Sequence, residues 1–382
     1  MIYFDHAATS GIKPPAVIEA IVDCLKNANA NPGRSSHSLS IKAAEIIYRT
    51  REVVGELFNF PETENIILTK NATEALNLAI YGTLGSGGGE AITTSMEHNS
   101  VLRPLNRLRE KGLIRLKIVE GDTNGLILPQ KIEEAISDNT RLVIATAASN
   151  VCGSRLDLEG ILQVCQSKGV KLLVDAAQGA GAIEIDLAKT PFDFLAITGH
   201  KHLFGPQGTG ALIIKEPDSL EPFMCGGTGS LSEKTIQPDF PPDKFEAGTL
   251  NTPGCAGLCA GIEFILSEGL NKIISREQHL VSYLLDKLSG IEEAKVYAAE
   301  VTDRVAVVSF NLEGAMPSEV SHYLDRKWQI YTRPGLHCAP QAHQTLGSFP
   351  QGTVRISLSY FNTEQEIDTA IEALKSYVRT RS

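Results

Sequence analysis

The 382-residue chain has a single tryptophan, and aromatic residues make up only 6% of it, so burial must be carried mainly by aliphatic side chains. No uncharged apolar run reaches the roughly 18 residues that a membrane-spanning helix needs. The N-terminal MIYFDHAATSG lacks the basic segment and apolar stretch of a secretory signal. No membrane partner and a cytoplasmic location are therefore expected. Long Lys/Arg clusters are also missing and the net charge is -10, which excludes a general affinity for nucleic acid phosphates. The seven cysteines, Cys24, Cys152, Cys165, Cys225, Cys255, Cys259 and Cys338, are odd in number and scattered, unlike the frame of a small disulfide-bonded secreted domain. Cys255 and Cys259 stand one helical turn apart but have no second close pair or histidine partner, so no metal site is expected there.

What remains is ordinary globular composition, 42% apolar and 21% charged, in a chain long enough for two domains or one large α/β domain with a smaller one. The middle alternates β-branched runs, AITTSM (91–96), RLVIATAAS (141–149), VKLLVDAA (170–177) and FDFLAIT (192–198), with amphipathic stretches. That rhythm predicts a mostly parallel sheet with crossover helices. LPQKIEEAIS (128–137) has Pro129 in a first turn, and DLEGILQVCQSKG (157–169) opens on an aspartate cap and closes on glycine, so both read as helices. From about residue 258 the pattern becomes long and helical, followed by VAVVSFNL (305–312), a short helix near 317–327, TVRISLSY (353–360) and a closing helix over 363–378. This reads as a separate α+β unit, onto which the first 20 or so residues pack.

The chemistry concentrates between VDAAQ (174–178) and TGHKHLFGPQGTG (198–210). Asp175 falls at the C-terminal end of a buried strand, where open α/β sheets place their ligands. Lys201 follows one strand later in a glycine- and histidine-rich turn. A carboxylate facing a pyridinium nitrogen and a lysine in Schiff-base linkage are what pyridoxal-phosphate (PLP) chemistry requires. A structural Asp–Arg pair and a surface lysine would read the same way from these two positions alone. TKNATEALNLAI (69–80) is a turn into a helix at which Asn71, Ala72 and Thr73 would either offer donors to a phosphate or simply cap the helix. His98, in SMEHNS, follows a strand and would either act at the catalytic centre, stacking on a cofactor ring or handling protons, or serve the fold.

Together the ordered motifs TKNATEALN, EHNS, SNVCG, DAAQ, TGHK, FEAGT and HCAP resemble the cysteine desulfurase and selenocysteine lyase group of class V aminotransferase-like, fold-type I PLP enzymes. The resemblance runs from YFDHAAT (3–9) to RISLSYFNT (355–363). It implies a large PLP-binding domain over 15–257 with a mostly parallel seven-stranded sheet, and a smaller α+β domain from 1–14 and 258–382. It also implies that Lys201 carries PLP, Asp175 faces the ring nitrogen, Gln178 bonds the ring oxygen and His98 stacks on the ring. Ala72, Thr73, Thr198 and His200 would hold the phosphate, Thr249 would reach in from a second subunit of a homodimer, and Asn150 would sit beside substrate and ring oxygen.

For the substrate, L-cysteine, the resemblance places Arg355 as the carboxylate clamp, a role suited to a planar guanidinium. Cys338, in the loop YTRPGLHCAP (331–340), would be the nucleophile that takes the sulfur as a persulfide, and His337 and Arg333 are the neighbours that would favour its thiolate. A sulfur-acceptor protein is a further implied partner. Pro334, Leu336 and His343 depart from the sulfur-mobilising members of the group and leave acceptor and preferred chalcogen open, while Cys152 reads as a packing residue. A selenocysteine lyase, in which Cys338 matters less, and a class V aminotransferase or epimerase remain the alternatives. A sulfur-relay protein without turnover is disfavoured by the presence of Lys201, Asp175, Gln178 and Arg355 together.

Overall fold

A computed structural model describes residues 1–33 and 35–381. The chain starts with a short strand, β1 (Ile2–Tyr3), and two helices, α1 (Pro15–Asn27) and α2 (Ser38–Phe58). Seven strands then build the main sheet: β2 (Ile66–Thr69), β3 (Glu90–Thr94), β4 (Arg115–Val119), β5 (Thr140–Thr146), β6 (Lys171–Asp175), β7 (Phe194–Thr198) and β8 (Gly210–Ile214). Their order is β2-β8-β7-β6-β5-β3-β4, with β8 antiparallel to both neighbours and the other pairs parallel. Four helices lie between these strands: α3 (Ala72–Leu84), α4 (Asn99–Glu110), α5 (Pro129–Ala135) and α6 (Leu158–Lys168).

The continuous apolar runs of these strands follow from burial on both faces. Successive side chains point to opposite sides. Val143, Val174 and Leu195 therefore join a core with Phe58 of α2 and Ile161 of α6, while Leu142, Leu173 and Phe194 join a second core with Leu76 of α3 and Leu105 of α4. Gly210 lets α3 start hard against the sheet, because a Cβ there would lie 2.7 Å from the Ile197 carbonyl oxygen and 2.9 Å from the Asn71 backbone.

Two long helices follow, α7 (Thr252–Glu268) and α8 (Leu270–Ser289). Helix α7 begins ahead of residue 258, where the apolar pattern becomes helical, because Asn251 caps it by accepting from the Gly254 amide and Pro253 sits in its first turn. Its buried Leu258, Ile262 and Ile265 pack into the core of the main sheet, and α1 packs along it. The remaining elements are β9 (Ala294–Val296), β10 (Val307–Leu312), α9 (Pro317–Trp328), β11 (Ile330–Tyr331), β12 (Arg333–Gly335), α10 (Pro340–Thr345), β13 (Thr353–Ser357) and α11 (Glu364–Arg379). A four-stranded antiparallel sheet, β12-β13-β10-β9, buries Phe310 and Ile356 against Leu284 of α8, Leu324 of α9 and Leu374 of α11. Of the first 20 residues, Phe4 enters this second core and β1 pairs with β11, whereas α1 does not. Among the described residues no helix is long and apolar enough to cross a membrane.

Candidate active site

The C-terminal edge of the main sheet opens onto a pocket of about 210 Å³, closed from the other side by the antiparallel sheet and by the segment after β1. Asp175 ends β6 and Thr198 ends the adjacent β7, so the sheet itself carries both to the pocket. His200 and Lys201 follow in the turn after β7. Adjacent parallel strands thus turn a separation of 26 residues into one shared wall.

Asp175 is 3% exposed and accepts from the Ala177 amide at 2.9 Å. Burial pushes its carboxyl up, opposed by that amide and by the Lys201 charge. The same burial lowers the Lys201 ammonium to about 8, with Asp175 pulling it back up. Glu97 lies behind this pair, accepting from the Thr94 hydroxyl at 2.7 Å and the Thr146 amide at 2.9 Å, and burial lifts it to about 8. At neutral pH Glu97 is therefore mainly protonated and adds little charge beside Asp175.

Helix α3 presents Ala72 and Thr73 to the pocket at its positive end, while the Asn71 side chain caps it by accepting from the Glu74 amide at 2.9 Å. The Thr73 hydroxyl lies 2.8 Å from that of Ser100. His98 caps α4, with Nδ1 accepting from the Ser100 amide at 3.0 Å. Nδ1 is thus unprotonated and the neutral ring carries its proton on Nε2. Burial first and the Lys201 charge second lower this imidazole to about 4.

Gln178 donates through Nε2 to the Ala7 carbonyl at 3.0 Å, and Asn150 donates through Nδ2 to the His337 carbonyl at 2.7 Å. Arg355, on β13, donates from Nη1 to the Asn150 carbonyl at 2.9 Å and from Nη2 to Asp5 Oδ1 at 2.7 Å. All these residues line the one pocket except Asp5. Four of its wall residues carry a buried polar atom without a hydrogen-bond partner: Gln178 Oε1, His200 Nδ1, His337 Nδ1 and Arg355 Nε. These four atoms have no hydrogen-bond partner among the described residues, and the same holds for other buried polar atoms away from the pocket.

Cys338 is exposed at the rim, in a loop where His337 and Cys338 both adopt left-handed backbone, φ 47° and 60°. The Asn99 amide holds the loop by donating to the Cys338 carbonyl at 2.8 Å. Arg333 Nη2 lies 3.7 Å from the sulfur, as the sequence leads one to expect. His337 does not face the sulfur in the same way: it is 3% exposed, hydrogen-bonds Thr353 Oγ1 through Nε2 at 3.0 Å, and burial keeps it neutral. The direction of that bond follows from its neighbours. Ser309 must donate to the Val151 carbonyl at 2.6 Å and so accepts from Thr353, which leaves Thr353 to accept from His337 Nε2–H. Arg333, not His337, is therefore the cation beside the thiol.

Thr249 lies outside this pocket on its own chain, exposed, with its hydroxyl 3.4 Å from Asn31 Nδ2. Cys152 is buried, with its sulfur 3.1 Å from the Ser154 hydroxyl. Burial holds the Cys255 and Cys259 thiols up at about 12. Sequence reasoning missed Asp5, Ala7 and Ser100. Asp5 and Ala7 fall within the YFDHAAT motif, which was legible as a motif without disclosing what its side chains touch.

A mostly parallel three-layer domain that brings a lysine and a carboxylate to adjacent strand ends is the architecture of an aminotransferase-type enzyme, and the class-V aminotransferase family model matches residues 2–370. A probable cysteine desulfurase of Methanothermobacter thermautotrophicus is 35% identical over 98% of this chain and 94% of its own length. The apo structure of a cysteine desulfurase from Thermococcus onnurineus superposes with a TM-score of 0.93 at 35% identity, covering 99% of this chain and 95% of the other. An Escherichia coli cysteine desulfurase in its S-sulfonic acid form gives 0.89 at 27% identity, covering 99% and 94%. The chain belongs to the cysteine desulfurase family of class-V aminotransferases.

Proposed function

We propose that the protein converts L-cysteine to L-alanine and receives the sulfur on Cys338 as a persulfide, with PLP held in the pocket. The observation that carries this reading is the meeting of Lys201 and Asp175 at adjacent strand ends in one pocket, with an exposed thiol, Cys338, 3.7 Å from Arg333 of its wall. The wall fits PLP. The first turn of α3, with Thr73, Thr198 and His200, would hold a phosphate, and a protonated ring nitrogen would give buried Asp175 its counter-charge. Gln178 would meet the ring oxygen and His98 would lie over the ring face. When bound, PLP supplies an electron sink that eases loss of the substrate α-proton.

The chain's own residues do the rest. Arg355 holds the substrate carboxylate and Asn150 lies beside it. Lys201, whose amine is partly neutral near neutral pH, takes the α-proton. The Cys338 thiolate attacks the substrate sulfur: a sulfur–sulfur bond forms, the carbon–sulfur bond breaks, and its electron pair stays with carbon. That carbon takes up a proton to become a methyl group, Lys201 returns a proton to the α-carbon, and the product leaves as alanine. The name cysteine desulfurase shared by the relatives favours cysteine over selenocysteine and over amino transfer. A homodimer, in which Thr249 reaches the partner's pocket, is supported by Ile18, Val22 and Leu25 of α1 and Ile41 and Tyr48 of α2, apolar side chains left exposed. Seven free cysteines suit a reducing, cytoplasmic setting.

PLP-loaded protein given L-cysteine and a thiol reductant is expected to release alanine and sulfide in equal amounts; amino transfer without sulfide would overturn the reading. PLP uptake by the apoprotein requires a neutral Lys201 amine, which loses its proton as pH rises. Uptake followed by absorbance should therefore quicken up to about pH 8 and level off above it. A rate still climbing steeply at pH 10, where an unperturbed lysine titrates, would contradict the assignment.

A further inference from the structure

The segment after β1 ties the two halves of the site together. Asp5 forms a parallel bridge with Ser357 of β13, the Ala7 carbonyl accepts from Gln178, and the Ser10 amide donates to the His200 carbonyl at 2.8 Å. At the centre of this strap Asp5 meets Arg355. The Arg355 side chain is 1% exposed, whereas Asp5 keeps 23% of its side chain accessible. A buried guanidinium is costly without a partner, and Arg333 adds positive charge nearby. The Asn150 carbonyl fixes one Nη but brings no negative charge. Asp5 fixes the other Nη and supplies that charge.

These two anchors use one N–H on each Nη and leave the second N–H of each, on a residue that lines the pocket, as the donors an incoming carboxylate would meet. We infer that Asp5 is a positioning residue for the substrate: it holds the Arg355 guanidinium in a fixed plane and offsets the charge of the Arg355 and Arg333 pair, so that the clamp for an amino-acid carboxylate is formed before the substrate arrives. This rests on the reading of the pocket given above. Asp5 touches neither Lys201 nor Cys338 by any hydrogen bond or ion pair described, so its influence falls on binding and not on the bond-breaking steps.

The test uses the PLP-loaded protein and its Asp5→Ala and Asp5→Asn variants. Turnover of L-cysteine is measured alongside binding of L-alanine, the latter read from the change in cofactor absorbance. Losing one charge-assisted hydrogen bond to the clamp is expected to raise KM for cysteine and Kd for alanine at least about tenfold in Asp5→Ala. The value of kcat should stay within about threefold, with cofactor content and resting absorbance unchanged. Asp5→Asn keeps the shape and an oxygen acceptor but not the charge, and should raise both constants by about threefold or more. Unchanged KM and Kd in Asp5→Ala would overturn the inference, as would a fall in kcat at constant KM. If Asp5→Ala fails to fold, Asp5→Asn decides by the same criteria. Wild-type protein that binds L-alanine but does not turn over L-cysteine would sink the desulfurase reading alone and leave Asp5 to be judged on the alanine titration. Wild-type protein with no response to L-alanine would sink both.

Discussion

Lys201→Ala is expected to lose alanine formation from L-cysteine by about 10⁴-fold or more, because on the proposed reading one side chain supplies both the covalent attachment of the cofactor and the base for the α-proton. Both tasks need a neutral amine. The turn after β7 provides one by burying Lys201 beside Asp175, where desolvation lowers the ammonium more than the carboxylate restores it. The neighbouring imidazoles are poor substitutes. His98 spends Nδ1 on the Ser100 amide, and burial lowers both His98 and His200 to about 4, making them weak bases. The phosphate cradle proposed at α3 does not include the lysine, so the variant should still bind PLP, now without the absorbance of the lysine-linked form. Alanine produced over a long incubation is the readout. Residual turnover above about one hundredth of wild type would mean that another group takes the proton.

Cys338→Ala should lower alanine and sulfide formation from L-cysteine by about 10²- to 10³-fold while leaving substrate binding intact, as expected for loss of a nucleophile outside the binding wall. The sulfur is exposed at the rim, and its loop is held through backbone contacts: the Asn99 amide on the Cys338 carbonyl and the Asn150 side chain on the His337 carbonyl. Neither contact needs the thiol. The absorbance change on adding L-cysteine should therefore survive in the variant while product formation does not. Undiminished turnover would instead fit the chemistry of a lyase whose leaving atom departs without attack by Cys338. Arg333, 3.7 Å from the sulfur, remains in either case the cation placed to assist.

Much of this site could be read from the sequence because its signals are local. The Asp157 cap and the left-handed Gly169 delimit α6 as anticipated, and the apolar runs over 170–177 and 192–198 contain adjacent parallel strands whose ends carry Asp175 and lead to Lys201. The start of α7 was less legible, because the cap at Asn251 stands ahead of the residues whose spacing announces a helix. Least legible were contacts between distant parts of the chain. Asp5 and Arg355 are 350 residues apart, and nothing in the neighbourhood of either reveals the other. His337 misleads for a related reason: it is next to Cys338 in sequence, but the left-handed backbone at both residues accompanies an inward ring bonded to Thr353 and an exposed thiol. Of the two adjacent side chains, the one that turns inward meets Thr353 of β13, a contact that the tract itself does not announce.

The central claim, that sulfur passes from cysteine to Cys338, is tested most directly by giving the PLP-loaded protein one equivalent of L-cysteine without reductant, trapping thiols by alkylation and determining the mass of the Cys338 peptide. The account predicts one additional sulfur atom on Cys338, in an amount equal to the alanine formed. Alanine formed with no sulfur on Cys338, or with the sulfur on another cysteine, would contradict it.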